Sequence, residues 1–283
     1  MSITTHDSII HLAKPLLGKT TEYYHTYQPS LLHPIPRKLH RELLNIDFEQ
    51  NIFMGEDIWT LYEVSWLNKK GLPQVAIGKI VLDMHTLNLI ESKSLKLYLN
   101  SFNQTCFINI EMVRKTIEKD LSDRAVGLVN VTLVHIQDIK NVIINNLSGF
   151  CIDTQDITIT TYKLNPEYLY NITTNNIVTE QLISHIFKSN CLITQQPDWA
   201  TVQINYHGNK INYTGLLHYL ISYRQHNEFH EHCTERIFYD ILKYCKPSQL
   251  SVYLRYTRRG GIDINPWRSN IEFLPNQNRL IRQ

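Results

Sequence analysis

The sequence has no long hydrophobic run and no lopsided charge, and each absence excludes a class of function. No window approaches the roughly 18 apolar residues of a membrane span. The opening MSITTHDSIIHLAKPLLGKT lacks a basic region followed by an uninterrupted apolar stretch, so no secretory leader is expected. Lys and Arg number 28 against 26 Asp and Glu, giving a net charge of +2. There is no basic tail, and the sequence pI of about 8.2 falls short of the footprint of a protein that grips a nucleic-acid backbone. A small anionic partner needs only two or three local cations. These features predict a small-molecule partner, no direct nucleic acid and no membrane. The five cysteines, Cys106, Cys151, Cys191, Cys233 and Cys245, form no CxxC pair. Without a leader they are expected to be reduced thiols of a cytoplasmic protein. No GxGxxG follows a strand and no P-loop is present, so any nicotinamide cofactor is held by something other than the doubly wound fold.

What is present is enough apolar material for a sizeable core, 43% of 283 residues, with only 19% charged. The first ~55 residues carry Pro15, Pro29, Pro34 and Pro36 and read as an irregular arm. Ile58–Asn68 and Gln74–Met84 read as a hairpin about Lys69-Lys70-Gly71. Ser94–Phe102 and Ile108–Leu121 read as helices, the second with Ile110, Val113 and Ile117 on one face, and Val129–Ile136 as a strand. The second half repeats this grammar. Strands are expected at Ile157–Tyr162, His185–Thr194 and Thr201–Tyr206, the last ending at a His207-Gly208-Asn209 turn. Helices are expected at Thr214–Tyr223 and Phe229–Tyr244, then a strand at Leu250–Tyr256. This order predicts an α+β fold of mostly antiparallel sheets with helices packed on one face. The seam falls near the Asn-rich 141–149 stretch, giving domains 1–150 and 151–283.

Four constellations can carry chemistry. Ile90-Glu91-Ser92-Lys93-Ser94 leads from a strand into a helix, whose free N–H groups attract anions. Ser92 or Ser94 can cap it, and Lys93 and Lys96 add positive charge; the bland alternative is a helix start with solvated lysines. Cys191 stands near a turn with Asp198 seven residues on, beyond Pro197. A nucleophilic thiol needs such an acid/base neighbour, but a buried structural cysteine is the commoner fate. Phe229-His230-Glu231-His232-Cys233 opens a helix; consecutive side chains diverge by about 100°, so only two face one site. Glu231 there also simply suits the helix dipole. Arg258-Arg259-Gly260-Gly261 suits phosphate recognition, or an exposed hairpin turn.

Taken in this order, the four pieces resemble the NADPH-dependent nitrile reductase family of queuosine biosynthesis, QueF, in its long bimodular form. ESKSLKLYLNSFNQ carries the family's motif, SNCLITQQPDWA and FHEHC resemble its catalytic half, and RYTRRGGIDINPWR its C-terminal region. The resemblance implies two tandem tunnelling-fold units and a homodimer. It implies NADPH-dependent reduction of 7-cyano-7-deazaguanine to 7-aminomethyl-7-deazaguanine, feeding tRNA modification, with no metal. It implies that Cys191 is the nucleophile, forming a thioimide with the substrate, and Asp198 the proton donor, with His230 assisting binding and proton movement. Glu91 and Glu231, with Ile90, Ser92 and His230, are implied in binding the deazaguanine, and Ser92, Lys93, Arg259 and Gly260 in holding NADPH. Two competing readings remain open: a zinc-dependent cyclohydrolase-like enzyme using Cys191, His232 and Cys233, and a non-catalytic purine- or pterin-binding module.

Overall fold

In the computed structural model, which describes residues 23–46 and 53–283, the chain divides into two compact units. One holds 23–46, 56–142 and 258–264; the other holds 53–55, 143–257 and 265–283. Among the described residues the fold is α+β with mostly antiparallel pairing; a two-residue strand and three isolated bridges pair in parallel. No helix is long and apolar enough to cross a membrane among the described residues.

The first unit opens with β1 (Pro34–Pro36) and α1 (Arg37–Leu43), so the described part of the proline-bearing arm is ordered. The rest of that arm, 1–22 and 47–52, lies outside the described residues. Next come β2 (Met54–Leu67), β3 (Pro73–Asp83) and β4 (Asn88–Ile90), which pairs with β1. Helices α2 (Ser92–Asn100) and α3 (Ile110–Ala125) follow, then β5 (Val129–His135). Strands β2, β3 and β5 form an antiparallel meander. A bulge between Leu61 and Val64 breaks the β2–β3 register, placing Tyr62 and Glu63 out of the ladder. Helix α3 buries Val113, Ile117, Leu121 and Ala125, one stripe at four-residue spacing, in a cluster with Leu61, Ile80, Leu82, Val129 and Val131.

The second unit contains β6 (Phe150–Cys151), β7 (Thr173–Asn190), β8 (Pro197–Ile211), α4 (Tyr213–Ser222), α5 (His230–Cys245), β9 (Gln249–Tyr256) and most of β10 (Ile262–Ser269). Two expectations fail here. Ile157–Tyr162 alternates like a strand but finds no ladder partner. His207-Gly208-Asn209 is not a turn: β8 runs through it, Gly208 pairing with Val178. Glycine stands there because a Cβ would lie 2.9 Å from the Pro247 Cα.

The helix pairs of the two units match position for position. Helix α5 buries Cys233, Ile237, Ile241 and Cys245 with the spacing of the α3 stripe. Both helices end on a left-handed residue, Val126 with φ 52° and Lys246 with φ 51°. The Tyr98 hydroxyl of α2 donates to Asp120 of α3 at 2.6 Å, and Tyr219 of α4 donates to Asp240 of α5 at 2.7 Å. Each tyrosine is the seventh residue of its helix and each aspartate the eleventh. Burial drives the Tyr98 and Tyr219 hydroxyls far above their usual range and raises the Asp240 carboxyl. The matched positions predict matched costs. Ile117→Ala and Ile237→Ala should each destabilise the protein by about 2–5 kcal/mol, read as a fall in the urea midpoint. A surface-like cost below 1 kcal/mol at either position would contradict its placement in a core.

Candidate functional site

One group of polar side chains in the second unit lies at the turn end of the β7–β8 hairpin. Strand β7 stops at Asn190, the last residue paired with β8. Residues 191–196 then turn back: Cys191 N–H donates to the Gln196 carbonyl and Gln195 N–H to that of Cys191. Gln195 reverses the chain with φ 58°. This turn holds Cys191 half-buried at the tip. Asp198 sits two residues inside the hairpin, opposite Ser189 and 3% exposed.

The segment before α5 is stitched to the same point. Asn190 N–H donates to the His226 carbonyl (2.8 Å), and Glu228 N–H to the Asn190 carbonyl (3.1 Å). Helix α5 therefore starts beside the cysteine turn. Its first residue, His230, places Nε2 3.2 Å from Asp198 Oδ2. Its ring lies over that of Tyr256 of β9, centroids 3.9 Å apart at 41°. Glu231, next in the helix, is 3% exposed. The imidazole and the buried carboxylate thus lie within ion-pair distance of each other. A part-buried ion pair supports the stitch: Arg236 forks onto the buried Glu228 at 2.7 and 3.1 Å, and His226 approaches Glu228 at 3.2 Å. Neither Glu228 nor Arg236 was singled out from the sequence, where they read as ordinary loop and helix residues; Tyr256 lay in the RYTRRGG motif, with no role assigned to it.

The cysteines separate by environment. Burial pushes the Cys233 thiol well above its usual value and Cys245 to about 12, holding both as inert thiols. Cys191 is half-buried, in the turn of the hairpin whose next strand bears Asp198. Among the described residues, no three His, Cys, Asp or Glu side chains gather as a metal site.

The first unit contains the other constellation. Ile90 ends β4, and Glu91 is the N-cap of α2. The cap is the Glu91 carboxylate, accepting from Lys93 N–H at 2.8 Å and Ser94 N–H at 2.7 Å, and not a serine hydroxyl as expected. Ser94 Oγ instead donates to the Glu91 carbonyl. A carboxylate has about four acceptor positions, so both Glu91 oxygens retain capacity. The Arg258–Ile262 loop is a tight turn closed by Arg259 N–H to the Ile262 carbonyl. Gly260 and Gly261, with φ +58° and +79°, suit a type I′ turn. A Cβ on Gly260 would meet the Lys96 side chain at 3.2 Å, and one on Gly261 would collide with the Glu63 carboxylate at 2.5 Å. Lys93, Lys96, Glu63, Gly260 and Gly261 line one cleft of about 290 Å³. The structure thus brings Lys93 and Gly260 together. Ser92 and Arg259 are their chain neighbours but do not line the cleft, while Lys96 and Glu63 complete it. Lys96 was visible in the motif. Glu63 arrives only through the β2 bulge.

Residues 23–133 match a family described as "Nitrile reductase, 7-cyano-7-deazaguanine-reductase N-term". Residues 197–273 match one described as "QueF-like protein". Among solved structures, the chain is similar to one titled "Crystal structure of the archaeosine synthase QueF-Like in the apo form". That match has 17% identity and a TM-score of 0.30, and covers 36% of this chain and 99% of that one.

The Glu228–Arg236 pair yields a test. Arg236→Met strands a buried carboxylate and should cost about 3–5 kcal/mol, measured by thermal or urea unfolding. Glu228→Gln combined with Arg236→Met should recover most of that loss. Equal damage in the single and double variants would rule out the pair as the source.

Proposed function

Because the chain belongs to the two-part 7-cyano-7-deazaguanine reductase family of nitrile reductases, we propose that it reduces 7-cyano-7-deazaguanine to 7-aminomethyl-7-deazaguanine through a thioimidate on Cys191. The observation that carries this reading is the Asp198–His230 pair, 3.2 Å apart at the hairpin end whose turn bears Cys191. A nitrile carbon is electrophilic but slow to react. The Cys191 sulfur forms a bond to it, one C–N π bond breaks, and the nitrogen takes a proton. Asp198 supplies that proton and His230 replenishes it, a step worth typically 10²–10⁴-fold. After the first reduction the C–S bond breaks and its electrons return to Cys191, leaving an imine. The second reduction gives the amine, and each reduction also requires one proton at nitrogen.

Substrate recognition falls to carboxylates. The deazaguanine edge presents N–H donors, which Glu231 and Glu91 accept, with Ile90 and Ser92 beside Glu91. NADPH, when bound, supplies the two hydrides. The first unit's cleft suits its phosphates: Lys93 and Lys96 give positive charge, and a side chain at Gly260 would crowd Lys96. Ser92 and Arg259 lie one residue away along the chain. We read the two compact units as the tandem tunnelling-fold modules of the long family form, in a cytoplasmic homodimer that acts on a small molecule and not on nucleic acid.

Two outcomes test the reading. Mixing the protein with 7-cyano-7-deazaguanine and no NADPH should give a stable adduct of the full substrate mass, mapped by mass spectrometry to the Cys191 peptide. Cys191→Ala should lose both adduct and turnover while still binding substrate, and full activity in that variant would end the proposal. Turnover should consume two NADPH per amine and resist chelators. A ratio of one, or a requirement for zinc, would point instead to a different enzyme of this fold.

A further inference from the structure

One side chain touches His230 without yet having a task. Tyr256 of β9 is 1% exposed, and its ring centroid lies 3.9 Å from that of the imidazole. Everything around Tyr256 restrains it. Its backbone pairs with Ala200 of β8, and its carbonyl accepts from Gln283 Nε2 at 2.9 Å. Its ring meets Phe187 edge-on at 6.3 Å, and its hydroxyl is buried beside Ser189 and Cys233. It is therefore a fixed platform.

His230 needs one. A single contact to Asp198 fixes one nitrogen but leaves the ring free to swing about that contact. A second surface against the ring face removes this freedom. Asp198 approaches from β8 and Ser189 faces it from β7. Lys188 of β7 is tied to Asn190 Oδ1 and the Arg224 carbonyl, and Glu231 and Cys233 belong to the same helix as His230.

Resting on the function proposed above, we propose that Tyr256 is a positioning residue of the reaction: its ring sets the plane of His230 against Asp198. The aromatic face does this, and the hydroxyl is dispensable.

The test uses the full-length protein, with steady-state kinetics alongside NMR of labelled histidine. Tyr256→Leu should lower kcat by at least ~tenfold and remove the ring-current shift of the His230 ring protons. The Michaelis constant for NADPH should stay as in the wild type. Tyr256→Phe should restore both the shift and the rate. A purely structural tyrosine would lower the melting temperature of the Leu variant while leaving kcat unchanged, and that result overturns the proposal. So would a Phe variant as impaired as the Leu variant. If Tyr256→Leu does not fold, the rate of Tyr256→Phe and the wild-type His230 ring protons decide: a wild-type rate with an upfield ring-current shift supports the ring contact, and an impaired rate or an ordinary proton position refutes it. A wild type that reduces no nitrile would defeat the proposed function, while the His230 ring-current shift would still report on Tyr256.

Discussion

Two backbone hydrogen bonds at Asn190 tie the last residue of β7 to the segment that launches α5. Both are made by groups that every residue carries. A strand end would otherwise leave them unpaired in a half-buried place, at a cost of about 1–3 kcal/mol each. Once they form, the Cys191 turn on one side and the His230 helix start on the other have little freedom to separate. Asp198 follows from the hairpin register, and Tyr256 from the pairing of β9 with β8. The proposed chemistry thus depends on strand pairing more than on any contact between the reacting side chains.

Charge burial is the cost of this arrangement. Glu228, Asp240, Glu231 and Asp198 are all nearly out of water in the second unit. Arg236 satisfies Glu228, and the Tyr219 hydroxyl satisfies Asp240. Such pairs contribute little net stability over an apolar core, but removing one partner is expensive. Their value here is geometric, since each fixes a helix or segment that bears a site residue.

The two units apply one scaffold to different ends. Glu111 and Glu231 are both the second residue of their helices. Glu111 is exposed and bonded to Arg114 on its own helix, whereas Glu231 is 3% exposed. Position on the helix is the same and surroundings differ. The difference between a solvated helix start and a candidate recognition carboxylate lies in what is packed around it.

Periodicity alone determined the four longer helices and strands β2, β3, β5 and β9, because one apolar face per element leaves a pattern in the chain. The motifs likewise marked Cys191, Asp198, His230, Glu231, Lys93 and Gly260 as candidates. Only tertiary structure decided the rest. Strand β10 is buried on every residue yet reads Ile-Asp-Ile-Asn-Pro-Trp-Arg-Ser; its Asn265 and Ser269 find partners on β9, Arg255 and the Leu250 carbonyl. The Ile157–Tyr162 alternation failed for want of a neighbouring strand, and Gly208 proved to be a close approach to Pro247 and not a turn. Glu63, Glu228 and Arg236 left no local pattern, and the motif that holds Tyr256 gave no sign of its contact with His230. Their importance comes from what lies across the fold from them, and a contact between residues far apart in the chain has no period to read.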